Sequence, residues 1–238
     1  MFDTNLKFAN KLELRYVFSD RSYYMDACVL QRCDKEVLTL VRALADMFDV
    51  KLTVYHEPHD RLNGFREKWA VAGEDSRAIS VVLNMFMRSM SHPTLSVGGQ
   101  SMIGRTPEDE ELMQKEVALL RRGLRLKDPS VAPSKQLLEL LNQSPRFCKC
   151  KSNFYEALRG YPKVVKFAMR ELNANDKSRS GVLEVKREQF DHFILRSDEL
   201  PTIKDNRASI EIISPVLKDS KYRWKGIYGK TGETIDFY

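Results

Sequence analysis

The chain has 238 residues, 42% of them apolar and 30% charged. This composition excludes a disordered chain, fits one large domain or two small ones, and contains no run of the ~20 apolar residues that would span a bilayer. The net charge of +6 is unevenly placed: residues 121–177 hold 13 Lys and Arg against 5 Asp and Glu, an excess of +8, and the remainder sums to −2.

Residues 1–11 are polar and lack the apolar core of a signal peptide, which predicts a cytosolic protein with no integral membrane segment. Residues 12–18, LELRYVF, alternate and are rich in strand formers. Between 23 and 48 the pattern turns helical: Leu30, Cys33, Val37, Leu40, Val41, Leu44 and Phe48 form one apolar stripe. Residues 50–55, VKLTVY, read as a second strand, so the chain opens strand-helix-strand with the pairing direction open. Ser76 is read as the cap of a helix running to Met90. Val81, Met85 and Met87 make that helix apolar almost all round, which predicts core packing, or else a membrane or partner surface. Residues 92–105 form a glycine-containing loop. Thr106, Pro107, Glu108 and Asp109 then give a strong helix start. A short helix covers 135–141, and Asn153 with Glu156 reads as the capped start of another that ends by Gly160. Beyond Gly160 the period approaches two. Strands are expected at 164–169, 182–187, 190–195, 208–214, 222–228 and 234–238.

Helices in the middle and strands at the end argue for an α+β fold. Three regions are expected: an α/β region with a buried apolar helix over 1–105, a basic helical segment over 106–160, and a mainly antiparallel β region over 161–238 that ends in a hairpin. The last strand would leave an open sheet edge, a place for a partner strand.

Several motifs carry less than their letters suggest. Gly229-Lys230-Thr231 resembles the end of a phosphate loop, but Trp224 stands where the first glycine is needed and no helix can follow. A hairpin turn is the better reading. Gly99, Gly104, Arg105 and Thr106 match the spacing with Arg in place of the phosphate-binding Lys. His56-Glu57-Pro58-His59-Asp60 cannot place both imidazoles on one helical face because of Pro58. Cys148 and Cys150 form Cys-x-Cys with no second ligand pair, and read as reduced thiols. No motif implies a cofactor. Asp176 with Glu184 and Lys186 matches the Asp…Glu-x-Lys set by which some nucleases hold a divalent metal and activate water, although Leu183 and Val185 between them are what any half-exposed strand shows.

The stretch RFCKCKSNFYEALRGYPKVVKF interleaves cations with aromatic rings. Arg146, Lys149, Lys151, Arg159 and Lys163 are placed to meet phosphates, and Tyr155 and Tyr161 to stack on bases of RNA or DNA.

Three stretches, LELRYVFSDRSYYMDACVLQRCDKEVLTLV, KSNFYEALRGYPKV and IEIISPVLKDSKYRWKGIYG, resemble a group of uncharacterised bacterial proteins. The resemblance implies mobile-element or defence loci and no established activity, so no functional residues carry over. Its members often bear a more apolar segment where Ile79–Met87 stands here, and they continue past the hairpin. The reading that follows is a non-catalytic bacterial binding or regulatory protein, associated with nucleic acid and phage defence. The alternatives are a metal-dependent nuclease using Asp176, Glu184 and Lys186, and a peripheral membrane or assembly protein using the helix from Ser76.

Overall fold

The computed structural model describes residues 9–20, 22–57, 65–93, 106–128, 130–195, 208–214, 224–229, 232 and 234–237. They comprise β1 (Asn10–Phe18), α1 (Ala27–Phe48), β2 (Thr53–Glu57), β3 (Phe65–Ala72), α2 (Ser76–Ser91), α3 (Pro107–Arg125), α4 (Lys135–Asn142), α5 (Pro145–Arg159), β4 (Val164–Leu172), β5 (Leu183–Lys186), a 3₁₀ turn (Arg187–His192), β6 (Ile210–Ser214), β7 (Trp224–Tyr228) and β8 (Thr234–Phe237). The fold is α+β. It divides into two compact units, Met1–Leu200 and Pro201–Tyr238.

In the first unit five strands form an antiparallel sheet in the order β2-β3-β1-β4-β5. The opening strand-helix-strand does not pair with itself: β3 inserts between β1 and β2. Period two sorts the side chains of each strand between two faces. Leu12, Leu14, Tyr16 and Phe18 of β1, with Phe167 and Met169 of β4, enter the core. Lys11, Glu13 and Arg15 alternate with them. Glu13 is paired with Arg66 of β3 and Arg170 of β4, Lys11 with Glu57 of β2, and Lys166 of β4 with Glu184 of β5.

Helices α1, α2 and α5 supply the rest of the core. Asp26 caps α1, its Oδ1 accepting from the amides of Cys28 (2.9 Å) and Val29 (3.0 Å). At the far end Asp49 adopts φ 58°, and the Val50 amide closes onto the Ala45 carbonyl at 2.8 Å. The cap of α2 is Asp75, one residue before the expected Ser76; its carboxylate accepts from the amides of Arg77 and Ala78. Ser76 is the first helical residue and donates instead to Asn10 Oδ1 (2.6 Å), tying α2 to β1. Ala78, Ile79, Val81, Val82, Leu83, Met85, Phe86, Met87 and Met90 are all buried, so the apolar surface of α2 is used up inside the protein. No helix among the described residues is long and apolar enough to cross a membrane.

Two expected elements differ, and one strand is unexpected. The helix expected to start at Asn153 begins at Pro145. Proline suits a first helical position because no amide is needed there, and Asn153 lies mid-helix. The strand expected over 190–195 is largely the 3₁₀ turn. Phe190, Phe193 and Ile194 all enter the core, a three- and four-residue spacing that an extended strand cannot bring to one face. Strand β3 carries no clear strand signal in its first half, where Arg66, Glu67 and Lys68 run together.

The residues expected to form a C-terminal β region are divided. β4 and β5 complete the first sheet, and β6-β7-β8 form a separate three-stranded antiparallel sheet in the second unit. Here β7 and β8 pair across Gly229 and Gly232. Gly232 has φ +68°, a conformation that favours glycine, and its amide donates to the Tyr228 carbonyl at 2.8 Å. Lys230 and Thr231 lie outside the described residues, as do His59, Asp60, Gly99, Gly104 and Arg105.

Candidate nucleic-acid interface

Helix α5 packs antiparallel on α1, with Val29 and Arg32 near the start of α1 beside Ala157 and Gly160 at the end of α5. Asn153 Nδ2 donates to the buried Glu36 Oε1 of α1 (3.2 Å). Between the helices runs a groove of about 530 Å³ whose lining includes Arg32, Lys35, Glu156 and Arg159. Arg146 and Lys149 are exposed on α5 and lie seven and four residues before Asn153, on the same helical stripe. Glu36, the acid deepest in the groove, is held by Asn153. Arg159 reaches Asp191 at 2.9 Å, a pair exposed on both sides and therefore weak.

The end of α5 is held by one side chain. Arg187 Nη1 donates to the carbonyls of Leu158 (3.2 Å), Tyr161 (3.3 Å) and Val164 (3.0 Å), and Nη2 donates to that of Arg159 (2.7 Å). A guanidinium at a helix C-terminus satisfies orphan carbonyls and opposes the negative end of the helix dipole. It also sets the direction in which the chain leaves Arg159 for β4.

The seven residues read from the sequence separate by depth. Arg146, Lys149 and Arg159 are exposed. Tyr161 is half-buried, with its ring edge-on to Phe18 at 6.4 Å. Lys163 is half-buried: it donates to the Tyr24 carbonyl (2.9 Å), faces Asp20 at 3.4 Å, and lies over the rings of Phe18 and Tyr24. Lys151 and Tyr155 are interior, which corrects their placement on a binding surface. The Lys151 ammonium, 0% exposed, donates to Asn142 Oδ1 (2.6 Å) and the His92 carbonyl (3.2 Å), and burial pulls it down to about 8. Tyr155 stacks on Phe193 (centroids 4.3 Å) and donates to the Met90 carbonyl (2.7 Å). Position on α5 decides this: Lys151 and Tyr155, four apart, share the stripe that faces the end of α2.

The nuclease triplet is not assembled. Asp176, in the turn between β4 and β5, lies between Lys11 (3.1 Å) and Lys68 (3.2 Å). Glu184 is on β5 opposite Ala168 and pairs with Lys166 (2.9 Å). Lys186 is exposed at the end of β5. The carboxylates are thus neutralised separately by lysines. Among the described residues no group of three or more His, Cys, Asp or Glu is placed to hold a metal ion. Cys148 and Cys150 form no disulfide and point apart: the Cys148 thiol donates to the Asn142 carbonyl (2.9 Å), and Cys150 faces Glu36 of α1.

Two features escape the linear reading. Tyr23 and Tyr24, before α1, are 55% and 66% exposed and meet edge to face at 6.4 Å. They stand beside the end of α5 because Lys163 grips Tyr24, 139 residues away in sequence. The helical pattern read over 23–48 includes both, but α1 begins only at Ala27 behind the Asp26 cap. The second feature is a buried carboxyl pair. Glu67 of β3, fully buried, meets Asp34 of α1, and His56 Nε2 lies 3.0 Å from Glu67 Oε1. Glu67 Oε2 and Asp34 Oδ1 find no donor, and a proton shared between the carboxyls satisfies both. Burial and mutual repulsion push Asp34 up to about 7, and burial pushes Glu67 up to about 7. The buried Cys33 thiol beside them is raised as well, by burial and the neighbouring carboxylates.

No family model, no curated protein and no solved structure matches this chain.

Proposed function

We propose that this protein is a non-catalytic nucleic-acid-binding or regulatory protein of the bacterial cytoplasm, of a phage-defence or mobile-element setting, and that it holds an RNA or DNA backbone along the α1–α5 groove. One observation carries this reading: two helices bring Arg32, Lys35 and Arg159 to the lining of one groove, its deepest acid bonded to Asn153, and the α5 stripe through Asn153 continues to the exposed Arg146 and Lys149. Cations spaced along a groove displace condensed counterions from a polyanion, and the release of those counterions drives binding. The resemblance to bacterial defence-type proteins supports the setting.

The test is fluorescence anisotropy of a labelled oligonucleotide across a salt series. Binding is expected to weaken linearly in log–log coordinates, and the Arg146→Gln/Lys149→Gln variant to flatten the slope by about 1.5, since each lost phosphate contact removes roughly 0.7–0.9. Lys151→Met is expected to leave affinity unchanged, because its ammonium is interior. Salt-independent binding, or equal loss in both variants, would overturn the reading.

A further inference from the structure

We infer that the groove serves single-stranded nucleic acid, and that Tyr23 and Tyr24 form the platform on which its bases stack. This rests on the reading of the α1–α5 groove as a backbone track and names the form of nucleic acid that the same site takes.

Two large aromatic side chains more than half exposed, side by side, are an unusual use of surface. Neither ring is held in the core. Tyr24 is held by Lys163, whose ammonium lies 3.8 Å from its ring centroid and donates to the Tyr24 carbonyl at 2.9 Å, and it meets Tyr23 edge to face. With 66% of the residue exposed, most of Tyr24 faces solvent. A cation against one face draws π density away from the other, which then stacks better on an electron-rich base. Lys163 is itself positioned by Asp20 at 3.4 Å and by the Phe18 ring.

The platform is continuous with the groove. Lys163 follows Gly160 by three residues, and Gly160 lines the groove beside Val29 and Arg32, three and six residues after Asp26. A strand whose phosphates follow Arg146, Lys149 and Arg159 therefore reaches Tyr23 and Tyr24 with its bases. In a duplex those bases are already stacked and offer the rings nothing, whereas a single strand offers every base face. Cations along a track with aromatic rings at its end are the combination that single-strand binding uses.

The experiment compares short labelled single strands with the matching duplex by anisotropy, at one low salt concentration for affinity and across a salt series for the slope. The intact chain is expected to prefer the single strand by at least about tenfold. Tyr23→Ala, which leaves the Lys163 contact untouched, and Tyr24→Ala are each expected to weaken single-strand binding roughly 5- to 100-fold, the usual loss for one stacked base. Tyr23→Phe and Tyr24→Phe should retain it, because the ring and not the hydroxyl makes the contact. Neither alanine change should alter the salt slope, which belongs to the groove cations. Equal affinity for single strand and duplex, or wild-type binding by the doubly substituted Tyr23→Ala/Tyr24→Ala chain, overturns the platform and leaves the groove standing. Failure to bind either form overturns the groove and the platform together. Capture of a protein by the tyrosines with no effect of the alanine changes on oligonucleotides also counts against the inference.

Discussion

Glu67 is a carboxyl carried into the core. It sits on β3 between Phe65 and Trp69, on the face that those two send into the core, and is fully buried there. A lone buried carboxylate is costly; a second carboxyl with one proton between them is a cheaper state. Asp34 supplies the partner, and His56 covers the pair from its half-exposed side. The sign of the pH dependence follows. Burial pushes both acids up to about 7 in the fold, against about 4 in the unfolded chain. The folded pair therefore holds a proton that the unfolded chain has lost over that window. Its contribution to stability is complete below about pH 4 and is lost as pH rises through 7. Glu67→Gln removes the need for the proton. Thermal melts are expected to show this variant stabilised by about 1–3 kcal/mol at pH 8, with a flatter profile between pH 5 and 8. An unchanged profile would remove the shared proton from the account.

At the scale of elements, α5 shows how one helix divides its duties. Phe154, Tyr155 and Leu158 build the core, while Arg146, Lys149 and Arg159 remain in solvent. The alternation of cations and aromatic rings read in the linear sequence is thus mainly the amphipathicity of a helix. Its basic character was legible, and the depth of each residue was not, because depth depends on what α1 and α2 bring against it. The end of the helix depends on Arg187, whose guanidinium serves four carbonyls. Lysine keeps the charge but lacks the planar fork. Arg187→Lys is expected to cost about 2 kcal/mol in chemical denaturation and to weaken oligonucleotide binding, since the same fork orients the turn through Arg159 and Tyr161. A variant with normal stability and normal binding would show that the cap is dispensable.

At the scale of the whole molecule, the central pairing joins β1 to β4, with Leu14 opposite Met169. The first sheet cannot close until β4 exists, and the core on its helical face draws on Phe167, Met169 and Val185 from beyond α5. The unit that ends at Leu200 contains all five strands of that sheet. A chain ending at Leu200 is therefore expected to keep a cooperative thermal transition and its oligonucleotide affinity. One ending at Gly160 should unfold without cooperativity by circular dichroism. The reverse order would place the stability of the first unit outside its sheet.

Local signals decided most helices and most strands. Thr106, Pro107 and Asp109 start α3 with a capping box, the apolar stripe runs the length of α1, and two glycines join β7 to β8. Each depends on residues within a few positions, so periodicity and turn chemistry suffice to find them. The placing of β3 between β1 and β2, the burial of Lys151, the meeting of Asp34 with Glu67 and the arrival of Tyr23 and Tyr24 beside α5 were decided only by the tertiary structure. Each joins segments distant in the chain, where no period runs from one partner to the other. What selects those partners is the shared burial of apolar faces, and the polar groups carried inward with those faces must then find one another.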